Sequence, residues 1–324
     1  MRARGIVAAG LAMLAALCLP AGAMAQDGPP DPEAMQRMME ERNRLPNTAG
    51  DGPYPAVIEE YDSLPGHVVY RPADMSPFFG GHLPVLAWGN GACADDGTAH
   101  RFHLAQIASY GYLVVAAGHW RSGPGAPHPR VQQAMPEGGG LPPPATTAED
   151  VIAGIDWALE QDGNPNSPFY GRVDTDALAV AGHSCGGLQA IELAADPRID
   201  TVLIHNSGIY NNETSPIRGV TVSKDMLSNF HQPVLYVLGG PTDIAHPNGT
   251  DDFARVDHVP IMLADLPVGH GGTFGQPMGG AVAHVAVDWL EWQLRGDEVA
   301  ARTFTGENCR LCSGTEWTLE RKGW

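Results

Sequence analysis

The sequence predicts an α/β fold in which a mostly parallel central sheet is covered by helices on both faces. Strand-like and helix-like segments alternate from about residue 54 onward, the order that parallel strands with crossover helices require. The strand-like runs, such as Ala177-Leu178-Ala179-Val180-Ala181, are apolar at consecutive positions, as strands buried on both sides must be. A chain of 324 residues is also long enough to bury one large core of this kind.

The first 25 residues read as a processing signal. Arg2 and Arg4 form a basic start, Ile6 to Leu19 an apolar stretch, and Ala23-Met24-Ala25 a small-residue cleavage site. Residues 26–53 mix Pro, Gly and charges and read as a flexible N-terminal lead with one short helix near Met35 to Arg44. Residues 54–324 then form the folded domain. Its expected strands are His67 to Arg71, Pro84 to Trp88, Leu113 to Ala117, Ala177 to Ala181, Thr201 to His205, Pro233 to Leu238 and Pro260 to Leu266. Expected helices are Thr98 to Tyr110, Thr147 to Gln161 behind a Thr146-x-x-Glu149 capping box, Gly187 to Ala195, Ser223 to Phe230, and Gly280 to Arg295. Arg121 to Pro144, rich in Gly and Pro, reads as a loop beyond a strand's C-terminal end, a position that often lines a site.

Charge and cysteines narrow the function classes. The net charge is −18, and removal of the signal takes away Arg2 and Arg4 but no acid, leaving −20. Such a surface repels nucleic acid and anionic membranes, so neither is an expected partner. After the signal no apolar run reaches the roughly eighteen residues of a spanning helix. The expected location is therefore secreted or periplasmic. Cys93, Cys185, Cys309 and Cys312 remain, an even number that favours disulfides after export. Cys309–Cys312 would be a local loop and Cys93–Cys185 a long-range clasp, with buried free thiols at Cys93 and Cys185 as the other reading. The lone Cys-x-x-Cys is too few ligands for zinc, so no metal is expected.

The sharpest motif is Gly182-His183-Ser184-Cys185-Gly186, between a buried strand and a helix. This is the setting of a nucleophile elbow, where Ser184 stands at the tip of a tight turn and the flanking glycines let strand and helix pass. A serine hydroxyl needs a base, and the base an orienting carboxylate. In an open parallel sheet both belong just past the C-terminal ends of later strands. Asp243 follows Pro233 to Leu238, and His270 follows Pro260 to Leu266, giving the order Ser, Asp, His. Asp265, Asp251 and Asp252 are rivals for the acid. Oxyanion donors would be the backbone N–H groups of Cys185, beside the nucleophile, and of Asn90 in Gly89-Asn90-Gly91, with Gly91 as the alternative. A Cys93–Cys185 bridge would lock both donors together. Trp88, Trp120 and Phe274 are candidate walls of an apolar substrate pocket, and His119, His183 and His246 candidate wall or substrate contacts.

With elbow, acid, base and oxyanion loop in this order, residues 54 to 295 resemble an α/β-hydrolase-fold serine esterase. The likeness is nearest to the exported cutinase-like, polyester-hydrolase-like and dienelactone-hydrolase-like branches, which implies no large cap domain and no cofactor. The chain lacks the His-Gly-Gly-Gly of hormone-sensitive-type lipases, and Cys185 departs from the Met or Gln common after the nucleophile. The resemblance implies cleavage of small-molecule or polymeric carboxylic esters through an acyl-enzyme. Peptidases, thioesterases and dienelactone-type hydrolases use the same machinery, and a non-catalytic binder on this fold is the contrasting class.

Overall fold

The computed structural model describes residues 32–131, 143–212, 217 and 219–324. The expected signal at residues 1–25, and the middle of the loop expected at Arg121 to Pro144, lie outside them. The chain divides into two units, Met1–Glu41 and Arg42–Trp324, and helix α1 (Pro32–Arg44) begins in the first and ends in the second.

Residues 42–53, expected to be part of a flexible lead, belong to the second unit. The reason is a buried cation. Arg101 is only 2% exposed, and its guanidinium donates to Arg42 O at 2.7 Å, Leu45 O at 3.0 Å and Asn47 Oδ1 at 2.9 Å. A charge out of water needs such partners, and the polar stretch supplies them.

A nine-stranded sheet organises this unit. Its strands are β1 (Ala56–Glu59), β2 (His67–Pro72), β3 (Leu83–Gly89), β4 (Leu113–Ala117), β5 (Val173–His183), β6 (Thr201–His205), β7 (Val234–Leu238), β8 (Ile261–Asp265) and β9 (Thr318–Lys322), ordered β1-β2-β4-β3-β5-β6-β7-β8-β9. Strands β3 to β8 are mutually parallel, whereas β1–β2, β2–β4 and β8–β9 pair antiparallel. The helices after α1 are α2 (Arg101–Ser109), α3 (Ala148–Gly163), α4 (Cys185–Leu193), α5 (His246–Arg255), α6 (Gly280–Arg295) and the short α7 (Glu298–Ala301).

Each central strand splits its apolar side chains between two cores. On β3, Val85 and Ala87 face one core while Leu86 and Trp88 face the other, and β5, β6, β7 and β8 alternate likewise. Val151 and Ile155 of α3, Leu188 of α4 and Phe253 of α5 fill the first core; Leu104 of α2 and Val282 and Trp289 of α6 fill the second. Burial on both faces is what makes these strands read as unbroken apolar runs.

Every expected strand is present, although β5 starts four residues before Ala177. The capping box sits one residue later than expected. Thr147 Oγ1 accepts from Asp150 N at 3.3 Å and Asp150 Oδ2 from Thr147 N at 2.7 Å. Thr146 is instead held inside, where its N–H donates to Cys93 O at 3.0 Å and its carbonyl accepts from Gln189 Nε2 at 2.7 Å. The segment Ser223 to Phe230 is a 3₁₀ turn over Lys224–Asn229 rather than an α-helix. Among the described residues no helix is long and apolar enough to cross a membrane.

The topology fixes where a site belongs. β3 lies between β4 and β5, so the chain winds in opposite directions on its two sides. That reversal opens a crevice at the C-terminal ends of β3 and β5, where Gly89 and Gly182 pair in register.

Candidate active site

β5 delivers the chain to His183, α4 starts at Cys185, and Ser184 alone makes the turn. Its φ of 53° and ψ of −116° lie outside the regions an L-residue prefers, so the surrounding structure must hold it there. Two glycines make that possible. A Cβ on Gly182 would stand 2.2 Å from Gly186 O, and one on Gly186 2.0 Å from Gly89 O. The turn is pinned by Ser184 N donating to His205 O at 2.9 Å and by Ser207 Oγ donating to Ser184 O at 2.6 Å.

The three residues expected to cooperate are brought into one hydrogen-bonded chain. Ser184 Oγ lies 3.0 Å from His270 Nε2, and His270 Nδ1 lies 2.6 Å from Asp243 Oδ1. Because a carboxylate only accepts, Nδ1 carries the proton and Nε2 is free to accept from the hydroxyl. The Asp243 carboxylate is wholly buried, while the imidazole keeps about a quarter of its surface exposed. Burial would raise the Asp243 pKa, but donors from His270, Ala245 N and Asn206 outweigh it and bring it down to about 2. Its Oδ2 accepts from Asn206 Nδ2 at 2.8 Å and from Gly239 N at 3.0 Å. The acid is therefore ionised and immobile.

The rival carboxylates have other work. Asp265 accepts from Gly240 N at 2.6 Å and from His246 Nε2 at 3.1 Å, bracing the turn that carries Asp243. Asp251 pairs with Arg255 and Lys224, and Asp252 is buried against Lys224, Ile209 N and Tyr236.

On the other side of Ser184 stands the loop after β3. The Asn90 side-chain NH₂ donates to Ala94 O at 3.1 Å and to Ala117 O, so these donors shape the loop rather than serve a ligand. Cys93 and Cys185 are joined by a disulfide, as are Cys309 and Cys312. The first ties the loop of Asn90 to the residue after the nucleophile. Ala92 and Cys93 have φ of 55° and 46°, so the bridge also holds a backbone that would otherwise relax.

The aromatic pocket expected from sequence is not there. Trp88 and Phe274 are fully buried, and Trp120 is half-buried on the same second core with Nε1 donating to Ser122 O at 3.1 Å. They pack the interior because their strand and loop positions face α2 and α6. Beside Ser184 and His270 lies instead a small cleft of about 50 Å³, whose walls include Leu188, Tyr210, Ile244, Ala245 and Asn248. Sequence reasoning missed these residues. The signal was available for the cleft residues after β6, since Asn206-Ser207-Gly208 follows a strand end just as the Asp243 and His270 loops do.

His119 and His246 are not cleft walls: His119 pairs with Asp95 at 2.7 Å, and His246 with Asp265. His183 lies beneath the cleft in a buried group with His100, His103, His205, Trp88 and Phe274, ring centroids 4.8–6.1 Å apart. Burial pushes His183 down to about 4 and His103 to about 3, and takes His100 and His205 well below their ordinary value. These four imidazoles are neutral. Phe274 fills the space between them, and among the described residues no His, Cys, Asp or Glu side chains are grouped as metal ligands would be.

No family model and no curated protein matches this chain. What the site can do is therefore read from its own geometry. It combines a strained serine, an imidazole in contact with it, an ionised buried carboxylate behind, and a disulfide-locked backbone loop in front. That set can move a proton off a hydroxyl and hold negative charge as the oxygen attacks.

Proposed function

We propose that the protein is a serine hydrolase of carboxylic esters, built on the α/β-hydrolase fold without a large cap domain and exported from the cell. The observation that carries this reading is the unbroken contact from Asp243 through His270 to Ser184, at 2.6 and 3.0 Å, with the nucleophile on a strand-to-helix turn. The two disulfides agree with an oxidising compartment.

In this mechanism Ser184 Oγ attacks the ester carbonyl as its proton passes to His270 Nε2. Asp243 Oδ1 holds the imidazole by its Nδ1–H and balances the charge that the second proton brings. The carbonyl oxygen, now an anion, takes hydrogen bonds from the backbone N–H groups of Asn90 and Cys185. Collapse breaks the C–O bond to the alcohol, which leaves with the proton from His270 Nε2. Water then attacks the acyl-enzyme, giving its proton to the same nitrogen, and Ser184 recovers it as the acid departs. The cleft wall is apolar or uncharged, with Ile244 standing 77% exposed at the mouth, and the chain carries −18. Both favour neutral over anionic substrates.

A fluorophosphonate probe tests the reading. It is expected to label Ser184 in the folded protein and to leave Ser184→Ala unlabelled, with hydrolysis of neutral aryl and alkyl esters lost in the same variant by about a millionfold in kcat. Equal ester turnover by both proteins would overturn it.

A further inference from the structure

We propose that Asn206 is a positioning residue of this site, the group that fixes both the acid and the turn of the base in one place. The inference rests on the catalytic reading above and adds to it a member that the Ser, Asp, His pattern does not contain.

Asn206 follows β6 directly, between the strand end that carries Ser184 and those that lead to Asp243 and His270. It is 1% exposed and stands at φ 45°, a left-handed conformation that asparagine tolerates better than most side chains do. Its backbone N–H donates to Val237 O at 2.7 Å, so the residue is anchored to β7 as it leaves β6. Its side-chain amide then spans two loops. Nδ2 donates to Asp243 Oδ2 at 2.8 Å and to Gly269 O at 3.2 Å. The orientation of that amide is set by chemistry, because a carboxylate and a carbonyl both only accept and the NH₂ must face them.

The consequences follow from which atoms are held. With Oδ2 occupied by Asn206 and Gly239, Oδ1 is the oxygen left for His270 Nδ1. The second hydrogen grips the carbonyl of Gly269, and His183 Nε2 donates to the next carbonyl, His270 O, at 2.8 Å. Two consecutive peptide units are thus clamped from two neighbouring strand ends, and the imidazole between them is aimed at Ser184. Gly272 lets the turn pass close by, since a Cβ there would meet Asn206 Oδ1 at 3.2 Å. Two other ionisable groups nearby, His183 and Asp265, have partners other than Asn206.

Asn206→Gly is the natural test, because glycine accepts the left-handed backbone and deletes only the amide. A hydrogen bond to a charged group is worth about ten- to a hundredfold in rate. The folded variant is expected to lose that much kcat on an aryl ester with KM changed by less than about threefold. In an Asp243→Ala background the same substitution is expected to cost markedly less, since the contact to the acid is already gone and only the grip on Gly269 O remains to be lost. An unchanged kcat, or an equal loss in the Asp243→Ala background, overturns the proposal. Should Asn206→Gly fail to fold, Asn206→Asp keeps the shape but removes the donors, and full activity of that variant at pH 8 overturns it equally. The far-downfield NMR resonance of His270 Nδ1–H needs no substrate. It is expected to shift in Asn206→Gly relative to wild type, and an unmoved signal refutes the positioning role even if the ester reading itself fails.

Discussion

Removing the Cys93–Cys185 bridge is expected to destabilise the protein far more than removing Cys309–Cys312, and to cost activity as well. The two bridges close loops of very different length, with sequence separations of 92 and 3. Taken through the chain-entropy relation for a cross-linked unfolded state, these give about 4.6 kcal/mol for the long clasp and about 1.6 kcal/mol for the short one. Cys93 and Cys185 also lie in the first core at 0% and 1% exposure, so the alanine pair leaves unfilled volume there. A gap of about 3 kcal/mol corresponds to urea midpoints separated by about 1 M or more. The assay is urea unfolding of wild type, Cys93→Ala/Cys185→Ala and Cys309→Ala/Cys312→Ala, followed by fluorescence. Ester turnover is then measured without urea at a temperature where all three are folded. The long-clasp variant is expected to lose at least about tenfold in kcat, since both proposed oxyanion donors sit on the joined turns, and the short-loop variant to keep its rate. Coincident midpoints, or a larger loss from the short loop, would refute the reasoning.

Other outcomes follow from the same geometry. Buried His103 and His183, held near 3 and 4, bind protons more readily once unfolded, where the ordinary value is about 6.5. Stability is then complete above about pH 6.5 and falls by on the order of several kcal/mol on the way to pH 4. Thermal melts from pH 7.5 to 4 should show that decline, with a shallower slope in His103→Leu; a flat profile for wild type contradicts it. Asp243 acts lower down, its contribution present above about 3.9 and lost as pH falls toward 2. Asp243→Asn is expected to lower kcat by about 10⁴-fold while the protein still folds, because the amide no longer selects the tautomer that leaves Nε2 free. Gly186→Ala would drive a methyl group to 2.0 Å from Gly89 O, so poor folding or lost activity is expected, and normal turnover would refute the need for glycine there.

Much of this was legible in the chain. The seven core strands declare themselves because burial on two faces demands unbroken apolar runs, and the elbow because only glycines fit two residues to either side of Ser184. Asp243 and His270 could be picked from many acids and histidines by position alone, one strand end apiece. What escaped had weaker physical marks. β1 and β9 lie at the sheet edges, where half-wet or exposed positions need no apolar run, and Thr318-Leu319-Glu320-Arg321-Lys322 reads as surface. α5 contains Pro247, Asn248 and Gly249, poor helix formers that packing overrides. Trp88 and Phe274 flank the loops of the site yet are fully buried, because sequence does not tell which side of a strand end a ring takes. Asn206 gave no signal by type, since its worth lies in two acceptors 37 and 63 residues further along the chain.

The C-terminal strand has a practical meaning. β9 lies against β8 from Ile261↔Lys322 to Asp265↔Thr318, and Trp324 just beyond it packs on Trp292 and Trp289 at 4.5 and 5.8 Å. Clipping these last residues would uncover the rim of β8, the strand leading to the base, and leave a bare apolar edge ready to pair with another molecule. Its charged replacement, Glu320-Arg321-Lys322, acts as a guard against such sticking. Anyone preparing the protein should therefore leave residues 318–324 in place.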